Sequence, residues 1–453
     1  MTETGNARFR RVRGAVIVTV GVLCLASASA QTAHAEVFAV NSTADLPVTK
    51  PGEHVCVTAA DTCTLRAAVE EADLDGGTNT IIVPPGHYRL TIPPSTEAGF
   101  AGPSVASAGD LAIPDGTLSI IGAGARETTV DGNHLDRVFA VASPASVSIS
   151  GMTITGGDAT GGGTSKEIDM GGGVYNTGTL TLNRVAVIGN NADGGGGVFS
   201  VPGSYITISN SLIAHNTAYE AGGIRFDGGG ELIDSTVTDN ALMPLPNASY
   251  AQDPKLAVAL ADELTGYGGG IDFRGGNNLD IINSTITDNH AIKGGGGLNS
   301  AQGYAAATSQ TSIGIALLLN TIVADNTSTA GGGNCNVEDN VIQSEGHNLA
   351  SDKSCFLTAT SDLPSRNPLL GPLADNGGPT DTQALLSGSP AIGAGATQGC
   401  PQYDQRGVAR PQGSCDIGAY QYAPSQKKNA RVRARSTPRV RHRARRRTRR
   451  RRN

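Results

Sequence analysis

The chain has 453 residues, with 61 glycines, no tryptophan and a formal net charge of −6. That small value hides a separation of charge: residues 427–453 hold 15 Lys and Arg and no Asp or Glu, whereas residues 36–426 carry 15 basic and 39 acidic residues, a net charge of −24. The glycine content and the few aromatic residues exclude a globular core of large side chains and favour a thin, repetitive, turn-rich architecture.

The first 35 residues have the pattern of a secretory signal peptide. The basic stretch "ARFRRVRG" precedes the apolar run "AVIVTVGVLCLASASA" and the small residues "AHA", which predict cleavage after Ala35, with Ala30 as the alternative. The apolar run is too short for a stable membrane span, and no second one follows. We therefore expect an exported protein, extracellular or at the envelope surface, with no transmembrane helix in the mature chain.

Residues 36–95 are predicted to form an N-terminal cap and a first rung. In "TCTLRAAVEEADLDGG", Leu65, Ala68, Val69 and Ala72 follow the spacing of one helix face. A repetitive fold must close its exposed ends, so this short helix is expected to cover the first coil. The run "TIIVPPGHYRLTI" is expected to be the first rung.

One phrase recurs through residues 96–364, as in "NSLIAHN", "DSTVTDN", "NSTITDN" and "NTIVADN". Each copy joins a short alternating strand to a turn and a glycine run, which predicts an all-β fold, a right-handed parallel β-helix with three short strands per coil. Insertions interrupt it at about 95–110, 157–170, 241–266 and 300–312. Coils stack at ~4.8 Å, so the first polar residue of each copy is expected to form an amide ladder. The predicted ladder comprises Asn183, Asn210, Asp234, Asn283 and Asn320.

A second repeat position carries acidic residues. His215, Asp239, Asp288 and Asp325 precede the closing Asn of their phrases and should form a column. Stacked carboxylates of Asp239, Asp288 and Asp325 are a candidate Ca²⁺ site, because Ca²⁺ prefers oxygen ligands. The alternative, which we favour, is solvated Asp at a turn. No other cofactor is expected.

The strands after the glycine runs predict a third column. Its members are Tyr175, Phe199, Arg225, Asp272 and Asn299, with Asp227 and Arg274 two residues further on. One interpretation is two ion pairs between adjacent coils, Arg225 with Asp272 and Asp227 with Arg274. The other is a glycan-binding strip in which aromatic rings stack on sugars and charges bind hydroxyls or uronates. That strip would comprise Tyr175, Phe199, Arg225, Asp227, Asp272 and Arg274.

Six cysteines remain after the signal peptide, an even number that suggests disulfides in an exported chain. They allow 15 connectivities, of which the simplest joins local neighbours. The pairs would be Cys56–Cys63, Cys335–Cys355 and Cys400–Cys415. The last would staple residues 365–423, a turn-rich C-terminal end-piece without the repeat.

The tail, residues 424–453, has almost nothing to bury and is expected to be disordered. Its charge suits an anionic envelope polymer, bound in a salt-sensitive way. The alternatives are that it folds back on the acidic body or stays solvated. It has no aromatic residues, so a nucleic-acid stacking site is not supported. We expect a monomer.

Both ends of the mature chain resemble known families. "CTLRAAVEEAD" resembles the motif of the CSLREA domain of exported bacterial proteins, with Thr64, Ala67 and Ala68 departing from it. "EGHNLASDKSC", "NPLLGPLADNGGPTDTQALLSGSPAIGAGA" and "CPQYDQRGVARPQGSCDIGAYQY" resemble the C-terminal portion of choice-of-anchor Q proteins. The resemblance implies a pectate-lyase-like, right-handed β-helix at or beyond the cell surface and transfers no catalytic residues. The Arg-rich tail stands where such proteins usually carry an anchor.

Two functions follow as hypotheses. The first is a non-enzymatic surface protein that presents a face to glycans or partners and is attached by its tail. The alternative is a carbohydrate-active enzyme, a polysaccharide lyase or glycoside hydrolase. Hydrolysis would need two carboxylates on one face, about 5–10 Å apart. A purely structural spacer is a third reading, and it predicts no glycan binding.

Overall fold

The computed structural model describes residues 35–75, 77–94, 105–160, 169–244, 266–301, 314–337, 342–411 and 413–423. Residues 1–34 of the predicted signal peptide, the greater part of the four insertions and the Arg-rich tail lie outside these residues, so the predictions made for them stay predictions. Among the described residues, no helix is long and apolar enough to cross a membrane.

The described chain is a right-handed parallel β-helix whose coils contribute strands to four sheets, which we name A, B, C and D in chain order around a coil. Sheet A contains β1 (Val37–Ala39), β2 (Thr78–Val83), β5 (Thr117–Gly122), β8 (Ser146–Ser150), β12 (Thr179–Asn183), β16 (Tyr205–Ser209), β20 (Gly229–Ile233), β24 (Leu279–Ile282), β28 (Ala316–Leu319) and β32 (Ile342–Gly346). Sheet B contains β3 (Gly86–Arg89), β6 (Thr128–Asp131), β9 (Thr153–Thr155), β13 (Ala186–Ile188), β17 (Leu212–Ala214), β21 (Thr236–Thr238), β25 (Thr285–Thr287), β29 (Ile322–Ala324), β33 (Leu349–Ala350) and β34 (Leu363–Pro364).

Sheets C and D complete each coil. Sheet C contains β10 (Asp158–Ala159), β14 (Asn191–Gly194), β18 (Thr217–Glu220), β22 (Ala241–Leu242), β26 (His290–Ala291) and β30 (Thr327–Ser328). Sheet D contains β4 (Leu111–Ile113), β7 (Phe139–Val141), β11 (Val174–Asn176), β15 (Val198–Ser200), β19 (Ile224–Phe226), β23 (Ile271–Phe273), β27 (Leu298–Ser300) and β31 (Cys335–Val337). The expectation of three strands per coil missed sheet C, because strands of two to four residues are too short to show an alternating pattern.

A helix covers the first coil, as predicted. Helix α1 spans Leu65–Asp75, and the Thr64 hydroxyl accepts a hydrogen bond from the Ala67 amide at 3.1 Å, which caps its N-terminus. Its apolar face is buried against the first coils, with Val69 fully inaccessible. A short 3₁₀ turn, Val105–Ser107, also packs on α1. Strand β1, not predicted, adds to the edge of sheet A by pairing with β2.

An amide ladder exists, but it lies six or seven residues later in the phrase than predicted, at the closing Asn. Each Asn that closes the phrase is buried, and its Nδ2 donates to Oδ1 of the next coil's Asn at 2.9–3.0 Å. The last of them, Asn326, donates instead to Asn334, eight residues later in the chain, at 3.0 Å. The members are Asn190, Asn216, Asn240, Asn289, Asn326 and Asn334. This position turns its side chain inward at the corner between sheets B and C, where the neighbouring Asn and a strand carbonyl satisfy it.

The predicted ladder position lies at the corner between sheets A and B, and it is not continuous. Asn210 donates to Asn183 at 3.2 Å and Asn320 donates to Asn283 at 3.0 Å, but Asp234 receives a hydrogen bond from Arg410 instead. The side chains at this corner are available to another segment of the chain because they point away from the core.

That segment is the C-terminal end-piece, residues 365–423. It folds back along the outside of sheet B as a strap across several coils. Thr236 Oγ1 donates to Gln405 Oε1 at 2.6 Å, and the Ala419 amide donates to Thr285 Oγ1 at 3.0 Å. The far end of the strap reaches the early coils through a 2.7 Å ion pair between Arg126 and Asp381.

The strap has its own small core and one antiparallel hairpin, β35 (Leu370–Ala374) and β36 (Thr382–Leu385). Leu385, Ala391 and Ile417 are buried against Ile322 and Leu349 of sheet B. The last coil is closed by a different segment, since Cys355 and Leu357 join the main core. Three disulfides are present, Cys56–Cys63, Cys335–Cys355 and Cys400–Cys415, which are the local pairs that the sequence favoured.

Candidate functional site

The outward face of sheet D carries the predicted column of polar and aromatic residues. The register stacks Ala140, Tyr175, Phe199, Arg225 and Asp272 on successive coils, followed by Asn299 and Asn336. Neighbouring Cα atoms are therefore about 4.8 Å apart, close enough for each side chain to contact the next.

Glycines before each strand set this register. Gly195 has φ +62°, a conformation that most residues adopt only with strain. At Gly196, a Cβ atom would lie 2.3 Å from the Thr217 carbonyl oxygen of the next coil. The glycine runs are thus a packing requirement at the corner between sheets C and D, and they bring successive coils into close contact.

The first half of the column is a stack of cations and rings. The Arg137 guanidinium lies 5.0 Å from the centre of the Tyr175 ring, and that ring stacks on Phe199 with centroids 5.8 Å apart and planes 4° from parallel. Arg225 covers the other side at 5.2 Å from the Phe199 centroid. Stacking and cation–π attraction therefore satisfy each ring from within the column.

The second half of the column is a chain of ion pairs and amides. Arg225 pairs with Asp227 at 3.0 Å and also with Glu220. Asp272 pairs with Arg274 at 2.9 Å and accepts a 2.6 Å hydrogen bond from Asn299. The ion pairs observed here join each arginine to the aspartate two residues away on its own coil, which lies on the same side of the strand. Between coils, Asp272 also helps to raise the pKa of Arg225.

Burial changes the interpretation of this column. Tyr175 and Phe199 are 3% and 7% exposed, and Asp272 is inaccessible. Burial alone would lower the pKa of Arg225, but Asp227 and Glu220 outweigh it and raise that pKa, so the guanidinium stays charged. The six predicted strip residues are brought together, but they form an internally satisfied layer instead of an open strip. Only Glu220, Arg225 and Asp227 keep side-chain exposures of 13–15%.

A second acidic cluster at the early end of sheet D was missed by sequence reasoning. Arg137 Nε lies 3.2 Å from an Asp110 oxygen and 3.7 Å from an Asp136 oxygen. Burial raises the pKa of Asp110 to about 7, against the opposing effect of Arg137, and Asp136 raises it further. Asp110 and Asp136 precede strands at different offsets in their coils, so no repeat pattern aligns them.

The predicted Ca²⁺ column has the geometry of a turn. His215, Asp239, Asp288 and Asp325 all have φ near +55°, where Asn and Asp are tolerated better than most residues. Burial raises the pKa of Asp288, which accepts a 2.9 Å hydrogen bond from Gln383 of the strap. Across the described ranges, no group of three or more His, Cys, Asp or Glu is placed to hold a metal ion. The backbone geometry at these positions fits the turn interpretation, which the sequence already favoured, and Ca²⁺ binding stays a prediction.

No family model matches the chain, and no curated protein matches it. A solved structure titled "Crystal structure of pectate lyase Pel9A" is 13% identical, covers 86% of this chain and 96% of its own, and superposes with a TM-score of 0.39.

Proposed function

We propose that this is an exported, non-catalytic β-helix protein that is attached to an anionic envelope polymer by its Arg-rich tail and presents its rigid body to glycans or partners. One observation carries the proposal: the charged residues of the sheet D column are paired with one another and largely buried. Charges that are already satisfied cannot take up a proton or a substrate without breaking a pair. The column therefore stiffens the scaffold.

Two further features support an exported protein. Three disulfides suit an oxidising compartment outside the cytosol. The resemblance of both ends to CSLREA and choice-of-anchor Q proteins also favours the cell surface. Arg225 of the column and its partners Glu220 and Asp227 keep 13–15% of their side chains exposed, and we propose that these exposed edges contact glycan hydroxyls while the pairs stay intact.

The attachment is tested with the mature chain and a variant that lacks residues 427–453, each applied to immobilised anionic and neutral polysaccharides. We expect binding only to the anionic polymers, lost with the tail and weakened by salt, because exposed charges are screened within about 10 Å at 0.1 M ionic strength. Equal binding by both proteins would overturn attachment through the tail.

A carbohydrate-active enzyme is the second candidate, and the Asp110–Arg137–Asp136 cluster is the observation that favours it. The carboxyl groups of Asp110 and Asp136 flank the Arg137 guanidinium there. The pKa of Asp110 is raised to about 7, as expected of the acid in an acid–base pair. Products released by the wild type but not by Asp110→Asn would favour this candidate over the first.

A further inference from the structure

The outer face of sheet A changes character along the solenoid. In its early coils many outward residues are hydroxyl-bearing, as in Thr117 and Ser119 of β5 and Thr179 and Thr181 of β12, although Ile82 and Ile121 are exposed there as well. From β20 onward the register instead places two other columns on this face. One column runs Glu231, Asp280 and Leu317, and the other runs Ile233, Ile282 and Leu319. All six residues are half-buried, so the face is accessible.

The carboxylates on this face repel one another. Glu231 and Asp280 are register partners on adjacent strands, and like charges directly opposite each other destabilise a sheet. Burial raises the pKa of Asp280, and Glu231 and then Glu345 raise it further. None of the salt bridges among the described residues joins these three carboxylates to a cation.

The described chain ends close to this face. Asn283, which directly follows β24, donates from Nδ2 to the Asp416 carbonyl oxygen at 3.2 Å, and the Tyr422 amide donates to the Asp416 carboxylate at 2.5 Å. Asp280 lies three residues before Asn283, about 10 Å along the strand. Extended chain covers up to ~3.5 Å per residue, so the first basic residues after Ala423 can reach the acidic column.

We propose that the Arg-rich tail, residues 424–453, binds in cis to the outer face of sheet A that is formed by Glu231, Asp280 and Glu345 with the column Ile233, Ile282 and Leu319. The charges are complementary: 15 basic residues follow a body of net charge −24. Arginine also fits the mixed surface, because its methylenes pack on aliphatic side chains while its guanidinium pairs with carboxylates.

The tail then has two competing binding partners, its own body and an anionic polymer. A tail held by its own body is not available to an anionic polymer, which must displace Glu231, Asp280 and Glu345. Salt or a dense polyanion therefore releases the tail. This regulatory consequence rests on the proposed attachment, whereas the intramolecular contact itself does not.

The turn column Asp239, Asp288 and Asp325 is the other stacked set of acids, and it serves as the matched control. Asp288 already accepts a hydrogen bond from Gln383, and Asp239 accepts one from the Thr238 hydroxyl at 3.1 Å. Asn tolerates the positive φ at these positions, so replacing the three by Asn removes three charges without new backbone strain.

The test follows tryptic cleavage within residues 427–453 of the full mature protein at low salt, with a synthetic peptide of the same residues as the unprotected reference. We expect the tail to be cleaved more slowly than the peptide. The face variant Glu231→Gln, Asp280→Asn, Glu345→Gln should be cleaved about tenfold faster than wild type, since three exposed ion pairs together amount to about one factor of ten. The control variant Asp239→Asn, Asp288→Asn, Asp325→Asn should behave as wild type.

Equal cleavage rates in the face variant and wild type would overturn the proposal, as would equal acceleration in both variants, which would indicate a non-specific charge effect. Protection that weakens on dilution would replace the cis contact by binding to a second copy. Thermal unfolding of all three proteins establishes that the variants are folded. A tail that binds no polymer but is protected in this assay would refute the attachment and leave the cis contact standing.

Discussion

The buried amide ladder is the element whose loss should be most costly, and Asn289→Ala tests it. Asn289 Nδ2 donates to the Val237 carbonyl at 3.0 Å and to Asn326 Oδ1 at 2.9 Å. Its Oδ1 accepts from the backbone amide and the Nδ2 of Asn240, at 3.0 and 2.9 Å. The substitution therefore removes four hydrogen bonds whose partners stay buried.

The Asn240 backbone amide loses its partner, which costs about 1–3 kcal/mol. Asn326 Oδ1 keeps the Asn289 amide and Asn240 Nδ2 keeps the Ile213 carbonyl, so the other three lost bonds cost about 0.5–1.5 kcal/mol each. The lower bound for the substitution is therefore about 2.5 kcal/mol. No water is expected to repair the loss easily, because Asn289 and its neighbour Asn240 are fully inaccessible. We expect the free energy of unfolding to fall by about that amount, with the midpoint in urea shifted and the slope unchanged.

The matched control is Asn191→Ala, which removes an outward, half-buried amide that donates to Asp158 at 3.5 Å and accepts from Thr217 at 3.0 Å. We expect it to cost less than about 1 kcal/mol. Urea unfolding of the oxidised protein, followed by far-UV circular dichroism and tyrosine fluorescence, measures both variants. A cost for Asn289→Ala no larger than for Asn191→Ala would refute the reasoning that the ladder holds the coils together.

Three further predictions concern other parts of the molecule. Arg410→Met should lower the free energy of unfolding by about 3–5 kcal/mol, because it leaves the buried Asp234 without its ion partner. Thermal unfolding at pH 7 measures this loss. A loss below about 1 kcal/mol would contradict a tightly held strap. Burial raises the pKa of Asp73 from 3.8 to about 6, so the folded chain holds a proton that the unfolded chain has lost, and its contribution to the free energy of unfolding falls as pH rises from about 4 to 6. Asp73→Asn should flatten that slope in urea titrations across this range, and an unchanged slope would refute the assignment. Phe226→Ala should cost about 3–5 kcal/mol, since Phe226 fills the core beneath sheet D, whereas the same change at the half-exposed Tyr205 should cost far less.

The sequence predicted what depends on neighbouring coils. The recurring phrase identified a stacked solenoid, and the spacing of Leu65, Ala68, Val69 and Ala72 identified the helix that covers its first coil. Both features depend on contacts between adjacent repeats or within one helix. A periodic sequence pattern reflects such contacts directly, so the sequence was sufficient to predict them.

What the sequence did not predict depends on contacts between distant segments or on side-chain direction. The strap meets the solenoid through pairs such as Arg410–Asp234, which are 176 residues apart, and no periodicity records them. Each repeated phrase offers two polar positions for an amide ladder, its first polar residue and its closing Asn. Which of them forms the ladder depends on which corner of the coil turns its side chain inward. The sheet D column was identified correctly, but its burial and its pairing within coils depend on side-chain conformations that the register alone does not fix.

The absence of catalysis is the central claim, and product release tests it most directly. The full mature protein would be incubated with acidic and neutral polysaccharides, with and without Ca²⁺, while reducing ends and unsaturated ends are quantified. We expect no products with any polymer, because the sheet D charges are already paired. Products that disappear in Asp110→Asn would contradict it and establish the cluster around Arg137 as the reacting centre.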